Sequence, residues 1–188
     1  MRCVLVMALV LSTVGTADRP HQGSVGAQMA QPGRYTQTPQ PPRQPPPRCD
    51  AAEYRQFDFW VGDWEVRMPN GQTAGQNTIT RELDNCVVKE RWRGTGGMTG
   101  ESFNIWDRTT KRWHQTWVSS TGALLLLEGE FRDGAMRMTG ESIGPNGPLH
   151  NRITWTPNPD GTVRQFWETS ADKGKTWTVA FDGLYGKK

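Results

Sequence analysis

The chain has 188 residues, with 22 Lys and Arg against 19 Asp and Glu, a formal net charge of +3, three cysteines and nine tryptophans. Five of the basic residues and one of the acidic ones precede position 49, so residues 49–188 hold 17 basic against 18 acidic side chains, a net of −1. That balance excludes a broad phosphate-tracking surface. The one dense basic stretch, "KERWR" at 89–93, is divided by strand alternation between two faces, and no nucleic-acid partner is expected.

The first residues, "MRCVLVMALVLSTVGTA", combine Arg2, an apolar run from Cys3 to Leu11 and the small residues Gly15 and Ala17. This is the pattern of a cleaved signal peptide over 1–17, with a second cut site after Ala27 that would extend it to 1–27. The run is far shorter than the ~20 apolar residues of a spanning helix, so stable membrane insertion is not expected, and the mature protein should be periplasmic or extracellular. Cys3 lies too early for a lipid-bearing cysteine. Residues 18–48 hold eight prolines and six glutamines and almost no large apolar side chain, which predicts a disordered linker. Its "TPQPPRQPPPR" favours polyproline II and reads as a spacer, with an SH3-like docking motif as the alternative.

Residues 49–188 form one domain, long enough for a hydrophobic core. Cys49 and Cys86 are the cysteines left after signal removal, and in an oxidising compartment they pair, closing a loop that stabilises by roughly 3 to 4 kcal/mol in the chain-entropy model. With no C-x-x-C and only His114 and His150 in the domain, no metal site and no cofactor is expected. Asp50 followed by Glu53 resembles a capping pair, so "DAAEYRQF" predicts a short N-terminal helix. Beyond it the hydrophobic period is two. Ten strand-like runs follow, roughly 63–68, 76–83, 86–93, 101–107, 112–118, 123–131, 135–141, 150–156, 162–168 and 176–182. The intervening "PNGQ", "GTGGMTG", "DRTTK", "SSTG", "RDG", "GPNGP", "PNPDG" and "ADKGK" are turn compositions. The expected fold is all-β: an antiparallel meander of about ten strands, closed into a barrel because closure removes its edges.

Alternation also predicts faces. Trp64, Val66 and Met68 share one; so do Val88, Glu90 and Trp92; Trp113, Gln115 and Trp117; Ile153 and Trp155; Val163, Gln165 and Trp167; and Trp177, Val179 and Phe181. If these point inward, Trp92, Trp113, Trp117, Trp155 and Trp167 are aromatic walls, and Glu90, Gln115 and Gln165 are isolated polar groups, the composition of a small-molecule pocket. The same tryptophans equally suit a barrel packed solid by its own side chains. Glu90 separates the two readings, since a buried carboxylate is costly unless paired or protonated. Arg81, Arg137, Arg152 and Arg164 are its candidate structural partners.

Other stretches carry less chemistry. "SADKGKTW", Ser170 to Trp177, matches the Asp-box pattern of sialidase propellers, but a single copy in so short a chain reads as a hairpin clasp. Glu128 and Glu130 share a face that reads as solvated, as does Glu168, and Ser102, Ser119 and Ser142 lack a nucleophile elbow or triad. His114 lies opposite its neighbouring tryptophans, and neither it nor His150 is expected to point into a cavity as a haem ligand would.

"FDFWVGDWEV" at 57–66 carries G-x-W, Gly62 and Trp64, at the start of the first strand, which resembles the calycin pattern of lipocalins and fatty-acid-binding proteins. The fuller string, with "ESFNIWDRTTKRWHQTWV", "LLLLEG", "RITWTPNPDGTVRQFWE" and "DKGKTWTVAFDGLY", resembles an uncharacterised family of exported bacterial proteins with an FDFW-x-G-x-W motif. The resemblance implies a calycin-like barrel but no activity, and the later lipocalin motifs are missing. In the opening motif Phe57, Phe59 and Trp60 are expected to seal one barrel end, Gly62 to turn the chain and Trp64 to begin the inward face, with Asp58 and Asp63 as turn and cap formers. The functional expectation is an exported, non-catalytic barrel that binds a small apolar or aromatic ligand. Two alternatives stand beside it: a small hydrolase or isomerase using Glu90 in the cavity, and an envelope scaffold with a filled barrel whose protein partners the sequence does not name.

Overall fold

The computed structural model describes residues 49–188; the predicted signal peptide and linker lie outside the described residues. Ten strands follow one another round a closed antiparallel barrel: β1 (Gly62–Arg67), β2 (Thr73–Glu82), β3 (Val87–Gly94), β4 (Thr99–Asp107), β5 (Arg112–Ser119), β6 (Leu124–Arg132), β7 (Ala135–Gly144), β8 (Gly147–Pro157), β9 (Val163–Ser170) and β10 (Thr178–Lys187). Each strand pairs with the next, and β1 pairs with β10 in the register Trp64↔Lys187 and Val66↔Tyr185, which closes the ring. All ten predicted runs coincide with strands. The connections are short because their residues suit tight turns; Asp133 and Gly134, both at positive φ, make the two-residue loop between β6 and β7.

The predicted helix is a nine-residue segment of two 3₁₀ turns, Ala52–Arg55 and Asp58–Trp60. The expected cap is not formed. Ala51, not Asp50, occupies the N-cap and makes no side-chain bond. Asp58 is no cap either: its carboxylate is ion-paired with Arg81 of β2. Asp63 accepts a hydrogen bond from the Thr78 hydroxyl at 2.8 Å.

This segment plugs the barrel. Phe57 stacks on Trp60 with ring centroids 4.9 Å apart, and meets Trp113 and Trp155 edge-on at 5.7 and 5.4 Å. Phe57, Trp60, Trp64 and Trp155 are completely buried, with Met136 and Met138 packed into the same cluster, while Phe59 is partly buried against Phe131. The Trp64 indole N–H donates to the Trp60 carbonyl at 2.9 Å, joining plug to strand. Gly62 is required between them: its φ of +149° is a conformation side chains disfavour, and the Trp64 ring lies 3.4 Å from where a Cβ would stand.

Three inward assignments differ, one at the end of β1 and two before the bulge of β10. Met68 lies beyond the end of β1. In β10 the register shifts between Val179 and Phe181, so one residue is inserted and the parity reverses. Phe181, Gly183 and Tyr185 face in, whereas Val179 is exposed and Trp177 lies outside with the Arg152 guanidinium 4.0 Å from its ring. The Ser170–Trp177 clasp forms as a hairpin: the Ser170 hydroxyl accepts from the Gly174 N–H at 2.8 Å, Asp172 accepts from the Thr176 N–H at 2.9 Å, and the Trp177 indole donates to the Gly174 carbonyl at 3.0 Å. Hydrogen bonds from the Thr176 hydroxyl, the Thr176 N–H and the Ser170 hydroxyl, in that order of weight, hold the Asp172 carboxyl well below the usual carboxylate range.

Cys49 and Cys86 are joined in a disulfide across 37 residues of chain, tying the start of the plug segment to the turn between β2 and β3. Arg55 reinforces the tie by donating to the Cys49 carbonyl at 2.6 Å and the Asn85 carbonyl at 2.9 Å. Replacing both cysteines with serine is expected to lower unfolding free energy by ~2–4 kcal/mol, read from the urea midpoint, and peptide mapping without reductant should recover Cys49 joined to Cys86.

Candidate functional site

The barrel is filled at the plugged end only. At the other end, framed by the loops at 95–98 and 120–123, lies a cavity of about 250 Å³ lined by Trp92, Trp117, Trp167, Phe181, Leu125, Ile153 and Met98, with Glu90, Gln115, Gln165 and Tyr185 as its inner polar groups. Ser119, Thr121 and Ala123 stand at its rim, where Met98, Thr121 and Ala123 are exposed. Of the two alternatives, a pocket and a barrel packed solid by its own side chains, this space agrees with the first.

Of the eight candidate contacts, Glu90, Trp92, Gln115, Trp117, Gln165 and Trp167 line this cavity. Trp113 and Trp155 do not: they belong to the aromatic cluster around Phe57, and Trp113 donates its indole N–H to Gln56 at 3.0 Å. Three aromatic walls rest on neighbouring backbone that carries no side chain. A Cβ on Gly100 would come within 2.3 Å of the Trp117 ring, one on Gly75 within 2.7 Å of Trp92, and one on Gly183 within 2.5 Å of Phe181. These glycines clear the space the rings occupy. Trp167 is fixed by its indole N–H, which donates to Asn151 at 3.0 Å.

Glu90 is 5% exposed and sits in a belt of neutral polar side chains that runs through six strands. Asn77 of β2 donates to one carboxylate oxygen at 2.6 Å and Ser102 of β4 to the other at 2.7 Å. Asn104 donates to the Ser102 hydroxyl at 3.0 Å, and Gln115 of β5 to Asn104 at 2.8 Å. In the other direction Asn77 reaches the Tyr185 hydroxyl of β10 at 3.4 Å, and that hydroxyl donates to Gln165 of β9. Asn77, Ser102, Asn104 and Tyr185 were not singled out from the sequence, although counting inward positions from Ile79 in β2 and from Trp106 in β4 would have found the first three.

None of the anticipated arginines reaches Glu90. Arg81 pairs with Asp58, Arg152 with Glu168 at 2.7 Å and Arg164 with Asp182 at 2.8 Å; Arg137 makes no salt bridge among the described residues. Burial raises the Glu90 carboxyl from 4.5 to about 7, the Asn77 and Ser102 hydrogen bonds only partly opposing it. Burial, then the Glu90 charge, raises the Tyr185 hydroxyl well above its ordinary value. Glu90 is the one carboxylate lining the cavity among the described residues, so paired-carboxylate hydrolysis has no second group there. Ser102 is fully buried behind the wall, and His114 and His150 lie on the outer face beside Asp107 and Glu141. Among the described residues no three metal-ligating side chains converge.

No protein-family model matches the chain, and no curated protein matches it significantly. What fold and site define is a closed ten-stranded antiparallel barrel with one aromatic-plugged end and a buried aromatic cluster.

Because Glu90 holds its proton more tightly folded, near 7, than unfolded, near 4.5, the folded state carries the extra proton between those values. Stability is then greatest below pH 4.5 as far as this group is concerned, and declines by about 3 kcal/mol as pH rises through 7. Glu90→Gln removes the decline, and Asn77, whose carbonyl oxygen has no partner among the described residues, can turn its amide to accept from the new side chain. The variant is expected to melt several degrees above the parent at pH 8 and to converge with it near pH 4, as thermal unfolding across that range would measure.

Proposed function

We propose that the protein is an exported, calycin-like barrel that binds a small, mostly apolar or aromatic molecule without converting it. The observation that carries this reading is the cavity of about 250 Å³, walled by Trp92, Trp117, Trp167 and Phe181, in the half of the barrel the plug leaves unfilled. Binding pockets combine such walls with a few fixed polar groups, and Gln115, Gln165 and Glu90 supply them. At about 250 Å³ the cavity falls just below the ~300–1,000 Å³ usual for ligand pockets, which favours a molecule of one or two rings over a long lipid chain. Export is supported by the signal-like residues 1–17 and by the disulfide, which persists in oxidising compartments. The likeness to exported bacterial proteins carrying FDFW-x-G-x-W agrees with both.

A second reading, proton transfer on a bound substrate, is favoured by one observation: Glu90 titrates at about 7, where an acid or base works best, and it lines the cavity. On any substrate found, loss of turnover in Glu90→Gln supports this reading and unchanged turnover rejects it.

Titration with a panel of one- and two-ring aromatic compounds is expected to quench or shift tryptophan emission, and native mass spectrometry of protein purified from its host to show a retained small molecule. Gly100→Ala displaces the Trp117 ring and is expected to weaken binding at least about tenfold while costing ~1–3 kcal/mol of stability. Binding unchanged in this variant, or no response to any compound, overturns the assignment.

A further inference from the structure

The polar groups of the cavity are unbalanced in sign. A carboxylate accepts about four hydrogen bonds, and Glu90 receives one at each oxygen, both from neutral donors. Gln115 spends its N–H on Asn104, and no donor among the described residues reaches its carbonyl oxygen. Among the described residues no lysine, arginine or histidine lines the cavity. The elements packed around Glu90 contribute Asn77 and Ile79 from β2, Ser102 and Asn104 from β4, and Gln115, Gln165 and Tyr185 from further round the ring; Tyr185 is the second titratable group on this wall. Arg81, on the inward parity of β2, is engaged by Asp58, and Lys89 and Arg91 of β3 are held on the outer face by Glu101 and Glu82. A buried carboxylate with spare acceptor capacity and no cation of its own is incomplete.

We propose that the cavity selects a monocationic ligand, a compact apolar or aromatic body bearing one protonated nitrogen that seats against Glu90 among the rings of Trp92, Trp117 and Trp167. This rests on the ligand-binding reading above and gives that ligand its charge. An ammonium neutralises the carboxylate, offers N–H donors to Glu90 and to the Gln115 carbonyl, and is drawn to indole rings, which attract cations. A neutral hydroxyl satisfies one lone pair and leaves the charge buried. An anion is repelled.

Three probes of one shape separate these cases: 2-phenylethylamine, 2-phenylethanol and phenylacetate, titrated calorimetrically into the purified protein near pH 8.5 and near pH 5.5. At the higher pH the amine carries its proton and Glu90 is ionised, and the amine is expected to bind at least about tenfold more tightly than the alcohol. At the lower pH Glu90 takes up its proton, and this preference should fall below about threefold. In Glu90→Gln the preference should vanish at both pH values while the alcohol still binds. Alcohol or phenylacetate binding as tightly as the amine near pH 8.5, or an amine preference kept in Glu90→Gln, overturns the charge inference and leaves the apolar cavity reading standing. Failure of all three probes to bind overturns both.

Discussion

Everything inside this molecule depends on the pairing of β1 with β10. Until Val66 lies beside Tyr185, the meander has two open edges and no interior. Closure brings residues more than a hundred positions apart into one polar belt: Asn77 on β2 touches Tyr185 on β10 only because β1 is the single strand between them. The aromatic cluster depends on it as well, since Trp60 packs against Trp155 of β8 and Tyr185 of β10 at once. Hydrophobic burial at the plug and hydrogen bonding in the belt are thus both consequences of one long-range strand pair.

Along its axis the barrel separates two tasks. The plugged end concentrates rings with almost no exposure, and each large buried aromatic contributes heavily to stability through the ~150–250 Å² it removes from water. The other end does the reverse. There glycines take the place of side chains beside Trp92, Trp117 and Phe181, and the space left over is the cavity. Glu90 lies where these regions meet, held by one amide and one hydroxyl that fix its position without neutralising its charge. A salt bridge would have made the same position more stable and chemically inert.

The strands were legible because period-two alternation and turn residues agree along the whole domain, down to the Asp133–Gly134 loop. Alternation gives the face of a residue but not its height in the barrel, which register and strand tilt decide. Trp113 and Trp155 were therefore placed correctly on the inside and wrongly beside the cavity. The bulge between Val179 and Phe181 inserts one residue without any mark in composition, and it moves Trp177 from the expected inward face to the outside. The polar belt was half visible: Glu90, Gln115 and Gln165 stood out among tryptophans, whereas Asn77, Ser102 and Asn104 lie in strands with a single large apolar inward residue each, Ile79 and Trp106, and draw less notice. Asp50 looked like a cap, but the segment settled as 3₁₀ turns beginning one residue later.

The disulfide also fixes how the domain would bear a mechanical load. Force arriving along the backbone at Cys49 has two routes into the barrel, through residues 50–61 to β1 or across the sulfur bridge to the turn before β3. The bridge is the shorter and is covalent, so tension is delivered to β3 and spreads by shear through its hydrogen bonds to β2 and β4. The stacked rings of Phe57 and Trp60 stay slack. A barrel attached in this way can be held at its N-terminal side without drawing its own stopper.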